Sequence, residues 1–208
     1  MTIGLRRLAV YISAATLTTA CTVFPTPEPP RALDLAPYAS EPMRETPRPV
    51  SLRIDTPLAS DPLDSARVLL KPSLYEFQAL PAVRWRDNIP VVVRDYLIQS
   101  FRYNGGFDNV ITDTSPAFAS HTLISELSAF HAENRQDQGV TVVMELHTEI
   151  MGNRTRRSLC SKSQRVEQRA ESASVDALME AFSESSRALA ETTNRWAYAC
   201  LAEARQRQ

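Results

Sequence analysis

Apolar and polar positions change rhythm several times along the chain, and each change predicts an element. "VSLRID" (Val50 to Asp55) alternates with the period of a half-buried strand, after a brief alternation in "RALDLAP" from Arg31. "ARVLLKP" and "LYEFQALPAVRW" predict two further strands joined around Lys71–Ser73. Asp87 or Asn88 then caps a helix that carries Pro90 in its first turn and runs to about Tyr103. Val91, Val92, Leu97, Ile98 and Phe101 form its apolar stripe, and "NGG" at Asn104–Gly106 supplies a left-handed stop. "FDNVIT" is a short strand, "HTLISELSAFHAE" and "GVTVVMELHTEIMG" are long ones, and "TRRSLCSKSQ" closes a meander. "NRQDQG" (Asn134 to Gly139) and "GNRT" (Gly152 to Thr155) are the turns between them.

The second long strand has Val142, Met144, Leu146 and Ile150 on one face and Glu145, His147 and Glu149 on the other. One face is therefore dry and one wet. A last helix, from about Ser174 to Arg205, has Val175, Leu178, Phe182, Leu189, Thr193, Trp196 and Cys200 along one stripe, which points Cys200 at the core. These elements predict an α+β fold: a two-layer sandwich of a mainly antiparallel sheet with two amphipathic helices.

The first fifty residues follow other rules. Arg6 and Arg7 precede a mostly apolar stretch, Leu8 to Thr18, too short to span a bilayer. This is the pattern of a secretory signal peptide, residues 1–20, ending in "TTAC". That ending resembles the bacterial lipobox, in which the cysteine, here Cys21, receives palmitate-type acyl chains and becomes the new N-terminus. Two or more chains hold a protein in a membrane stably, where one holds it marginally. The alternative is a plain signal peptide with an incidental cysteine. Thr22 follows rather than Asp, which in such lipoproteins favours the outer membrane, facing the periplasm.

Eight of the 14 prolines lie between residues 21 and 50, so residues 21–30 predict an extended tether and residues 31–208 the folded domain.

Composition narrows the function. The chain of 208 residues has 23 Lys+Arg and 24 Asp+Glu, a net charge of −1, and no strongly basic face of the kind nucleic acid demands. With Cys21 assigned to lipid, Cys160 and Cys200 remain. In an oxidising periplasm they form a disulfide, closing a loop of about 40 residues worth roughly 3–4 kcal/mol, or else both are small buried hydrophobes.

Catalytic signatures are missing from the sequence. Its five glycines cannot write a phosphate loop or dinucleotide fingerprint, and there is no G-x-S-x-G elbow or CxxC pair. His121 and His131 are ten apart on one predicted strand, hence on one face but over about 30 Å apart, and cannot share a metal. Glu145, His147 and Glu149 form a row that either ligates a cation or is a solvated charged face. No cofactor, no metal and no enzymatic activity are expected. Arg154, Arg156 and Arg157 make a basic hairpin tip suited to a lipid head group or an acidic partner.

The ordered pieces "LDL", "RVLLKP", "LYEF", "VRWRDNIPVVVRDYLIQSF", "GGFDNV", "HTLISELSAF" and "GVTVVMEL", behind a lipobox, resemble the ABC-type transport auxiliary lipoprotein family. The lipoprotein of the paraquat-inducible Pqi system is its best-known member. Residues Cys160 to Ser172 are more polar than that family suggests. The resemblance implies a non-enzymatic lipoprotein held at the outer membrane. Its partners would be an MCE-domain (mammalian cell entry) protein and an ABC permease and ATPase system that moves lipid across the envelope. Contact with phospholipid and assembly into a homo-oligomer also fall within what it implies. The competing readings are an outer-membrane assembly lipoprotein supporting a β-barrel or lipopolysaccharide translocon, and a periplasmic lipid-binding protein or enzyme.

Overall fold

The computed structural model describes residues 28–39, 46–135 and 139–206. The expected signal peptide, Cys21, most of the expected tether and part of the Asn134–Gly139 turn lie outside them.

Eight strands and two helices follow in the order β1 (Arg31–Leu33), β2 (Arg48–Ile54), β3 (Arg67–Ser73), β4 (Glu76–Trp85), α1 (Ile89–Asn104), β5 (Phe107–Thr112), β6 (His121–Arg135), β7 (Gly139–Gly152), β8 (Arg157–Arg169) and α2 (Val175–Gln206). All eight strands belong to one sheet. Its spine is β6, 15 residues and about 50 Å long. Strand β7 pairs with β6 along nearly its whole length and β8 with β7, both antiparallel. The other edge of β6 is shared end to end: β2 lies parallel to its first residues, Leu52 opposite His121, and β3 parallel to its last, Leu70 opposite Ala132. Beyond them, β5 pairs parallel with β2, β4 antiparallel with β3, and β1 parallel with β4.

The sheet is thus mixed rather than mainly antiparallel. The three antiparallel pairs join strands consecutive in the chain, which a turn signal announces. The four parallel pairs join strands distant in sequence, and no local pattern encodes them.

Local chemistry explains the strand irregularities. Pro49 sits where β2 shifts register between Arg48 and Ser51, so its missing N–H interrupts no ladder. Pro72 is tolerated because β3 pairs with β6 only through Leu70 and Lys71. The β3–β4 turn therefore falls at Leu74–Tyr75 and not at Lys71–Ser73. Strand β8 extends to Arg169, beyond the expected Gln164; as the sheet's edge, with a mostly exposed polar run, it resists pairing with a foreign strand.

Helix α1 starts with Pro90 in its first turn and stops at Gly105, whose φ of 65° is left-handed. Asn88 occupies the N-cap position but its side chain makes no capping hydrogen bond. The Asp87 carboxylate instead accepts the Asn88 N–H at 2.7 Å. Ser174 does cap α2, its hydroxyl accepting the Ala177 N–H at 3.3 Å. Both helices pack on the sheet and on each other. Between α2 and the sheet, Phe182, Phe130 and Trp85 form a fully buried triad with ring centroids 5.1–5.4 Å apart. One buried polar chain crosses this layer: Thr193 Oγ1 donates to Gln164 at 3.2 Å or to the Leu189 carbonyl at 2.8 Å.

Two bulges reset which face a residue occupies. Leu127 opposes Leu146 and Ala129 opposes Glu145, so Ser128 is an extra residue in β6. His121 and His131 consequently lie on opposite faces, contrary to the alternation expected across an unbroken strand. In β8, Cys160 opposes Ile150 while Ser158 opposes Met151, leaving Leu159 as the extra residue. Counted from the turn without that bulge, Cys160 would oppose Glu149 and face away from α2. With it, Cys160 shares the dry face of Ile150 and is bonded to Cys200, at a Cα separation of 6.4 Å.

Candidate functional site

The groups with acid–base or ligating chemistry are dispersed. His147 is exposed, its Nδ1 2.8 Å from the Ser163 hydroxyl. Glu145 beside it is held by Arg165 at 2.8 Å, and Arg165 also grips Glu167. The Glu145–His147–Glu149 row is thus tied laterally to β8. Among the described residues no group of three or more His, Cys, Asp or Glu is arranged to hold a metal ion.

His121 is half-buried beside the Ser120 hydroxyl at 2.9 Å, and burial lowers its pKa. His131 is buried under the edge-on ring of Phe77, 5.3 Å away. Its Nε2 stands 3.4 Å from Glu133, beyond a good hydrogen bond. Burial lowers its pKa despite the attraction of Glu133, with Lys71 and Arg165 adding to the effect.

A charged chain that sequence reading missed runs along the α1 side. Asp34 pairs with Arg86 (2.9 Å), Arg86 with Asp95 (2.7 Å), Asp95 with Arg94 (2.8 Å) and Arg94 with Asp113 (3.2 Å). Burial opposes ionisation of Asp113, but hydrogen bonds from Thr56 and the Arg94 charge outweigh it and hold its pKa down. These pairs register α1 against the loops after β1, β2 and β5. The Arg94–Asp113 end is mostly shielded from water and the Asp34 end is open to it. The signal available in sequence was the repeated "RD" of "RDN" and "RDY" around one helix start.

The three most exposed large apolar side chains described, Tyr75, Leu74 and Phe118, lie at the two ends of the β6 axis, while Leu58 is exposed beside its middle. At one end the β3–β4 turn presents Leu74, 79% exposed, and Tyr75, 96% exposed. They border an open cleft of about 560 Å³ with Lys71, Ser73, Glu133 and Asn134. At the other end Phe118, 78% exposed, stands beside the β7–β8 turn. There it lines a cleft of about 240 Å³ with Ser120, His121, Arg154, Thr155 and Leu159. Arg154, Arg156 and Arg157 are all exposed at this end. Its aromatic neighbour Phe118 was not foreseen, because a single Phe in "SPAFAS" has no periodicity to mark it. The two ends are about 40 Å apart, twelve residues along β6 from His121 to Glu133.

A family model described as the ABC-type transport auxiliary lipoprotein component matches residues 32–194, from within β1 to well into α2. The chain belongs to that family. Among solved structures, this auxiliary lipoprotein is similar to a crystal structure from Xanthomonas campestris. The TM-score is 0.72 at 17% identity, covering 85% of this chain and 97% of that one. It is also similar to the crystal structure of an uncharacterized protein, with a TM-score of 0.59 at 14% identity, covering 72% of this chain and 93% of the other. At these identities the likeness is one of fold. No curated protein sequence matches the chain. Among the described residues of the auxiliary lipoprotein no helix is long and apolar enough to cross a membrane.

Proposed function

We propose that this auxiliary lipoprotein is a non-enzymatic docking component, anchored at the outer membrane through acylated Cys21 and engaging the periplasmic end of an MCE-type lipid conduit. Membership of the transport auxiliary family is the observation that carries the reading. The "TTAC" break and the proline-rich residues after it support the anchor. The dispersed histidines and the exposed ends of the sheet support a role in contact rather than turnover. Docking needs a presented surface, and a tether raises the domain's effective concentration at its partner without any added contact.

The surface best suited to an acidic partner is the end carrying Arg154, Arg156, Arg157 and Phe118. Arginine and aromatic side chains dominate binding energy where interfaces are desolvated.

Two measurements test the reading. Purification of the lipidated protein from membranes should bring an MCE-domain protein with it, and the Arg154→Glu/Arg156→Glu/Arg157→Glu variant should lose that partner while remaining folded. Cys21→Ser should release the protein from the membrane fraction. Recovery of a β-barrel or lipopolysaccharide translocon instead of an MCE protein would favour the assembly-lipoprotein reading. Normal membrane retention of Cys21→Ser would remove the anchor.

A further inference from the structure

The exposure of Leu74 and Tyr75 is unusual for its position. A hairpin turn is ordinarily built from small and polar residues. Here the two turn residues are a leucine and a tyrosine, among the most exposed large apolar side chains described. The turn projects past the end of the sheet's spine, because Lys71 already lies level with Glu133 near the end of β6.

The direction in which the chain enters the domain gives this tip a partner. Strand β1 runs parallel to β4, with Arg31 opposite Val83 and Leu33 opposite Trp85. Since β4 runs away from the tip, so does β1, and the chain before Arg31 arrives from the tip's side. Strand β4 bulges between Ala79 and Arg84, so β3 is the better ruler: Arg67, opposite Arg84, to Ser73 beside the tip is six residues, about 20 Å. From Arg31 to Cys21 is ten residues, which span at most about 35 Å. Cys21 is therefore within reach of the plane of Leu74 and Tyr75, whereas the Phe118 end is about 40 Å further along the spine.

We propose that the β3–β4 tip is a second membrane contact, inserting Leu74 and Tyr75 into the lipid interface beside the acyl anchor. The inference rests on the reading of Cys21 as the acylated residue. Tyrosine suits the interface because its ring is apolar and its hydroxyl stays wet. Lys71, whose ammonium lies 5.4 Å from the Phe77 ring centroid, stands at the depth of the phosphates. Glu76 follows immediately and is exposed, which limits insertion to the two turn residues. The acyl chains alone retain the protein but leave its orientation free. The tip fixes the long axis, so the Arg154–Phe118 end points away from the membrane.

The test uses the lipidated full-length protein, purified from membranes and reconstituted into phosphatidylethanolamine–phosphatidylglycerol vesicles. Tyr75→Trp and, as a control on the far end, Phe118→Trp report by difference from the parent, which has two tryptophans of its own. Binding to the vesicles should blue-shift Trp emission from position 75, lipids brominated on the acyl chain should quench it, and position 118 should show neither effect. A tip inserted about ten times in eleven corresponds to a bias of about 1.4 kcal/mol. Adding Leu74→Ser to Tyr75→Trp should bring that tenfold bias towards parity.

Equal exposure of the two reporters in vesicles overturns the proposal. So does shielding of position 75 that is insensitive to bromolipid and rises with protein density, which would mark a contact between copies. The mass of the purified protein separates the two claims. An unacylated, soluble product sinks the anchor, while an acylated, retained product with position 75 exposed sinks only the tip.

Discussion

Breaking the Cys160–Cys200 bridge should cost this domain a large part of its stability. The bridge closes a loop of 40 residues, and the chain-entropy treatment values that constraint at about 4 kcal/mol. A domain of ordinary stability has only about 5–15 kcal/mol in total. The bond ties the edge strand β8 to the later turns of α2, the helix whose earlier turns bring Phe182 against Trp85 and Phe130. The loss is thus felt by the layer contact that forms the core.

In urea, a denaturant slope near 2 kcal/mol per molar converts this cost to a midpoint lower by about 2 M. Far-ultraviolet circular dichroism of Cys160→Ala/Cys200→Ala against the parent reads the shift directly. Reductant should lower the parent's midpoint to the same place, should not move the double variant, and should slow the parent on a denaturing gel. A parent whose midpoint ignores reductant, with an unchanged slope, would show that the two cysteines act as separate buried hydrophobes.

Two further outcomes follow from the core and from the buried imidazole. Phe182→Ala removes a fully buried ring from contact with Trp85 and Phe130 and should destabilise by about 3–5 kcal/mol. A loss well under 1 kcal/mol by chemical denaturation would contradict the packing. For His131, whose folded pKa lies below the ordinary value of 6.5, the unfolded chain takes up its proton first. Its contribution is present above that ordinary value and lost as pH falls through the folded pKa. Unfolding free energy should therefore decline between pH 7.5 and 5, and His131→Leu should flatten that part of the profile; identical slopes would rule the burial effect out.

The periodic apolar positions were enough to place both helices, the long β6 and β7, and the dry face of Val142, Met144, Leu146 and Ile150, because burial on one face imposes a repeat on neighbouring residues. Gly105 announced its own φ, since few other residues tolerate it. The family pattern was likewise readable, and the match over residues 32–194 agrees with it.

Pairings between distant segments left no such trace. The four parallel contacts depend on how β6 accepts β2 and β3 along one edge. The opposite facing of His121 and His131 depends on one surplus residue at Ser128. The same device at Leu159 turns Cys160 towards α2. A bulge shifts the phase of the alternation by one residue, from Leu123 and Leu127 to Phe130 and Ala132 in β6, and the residue that is surplus is defined only by the pairing with the neighbouring strand. The juxtaposition of Phe118 with Arg154, and of the chain's entry with the Leu74–Tyr75 tip, arises in the same way: each joins residues whose closeness exists only once the strands are in register.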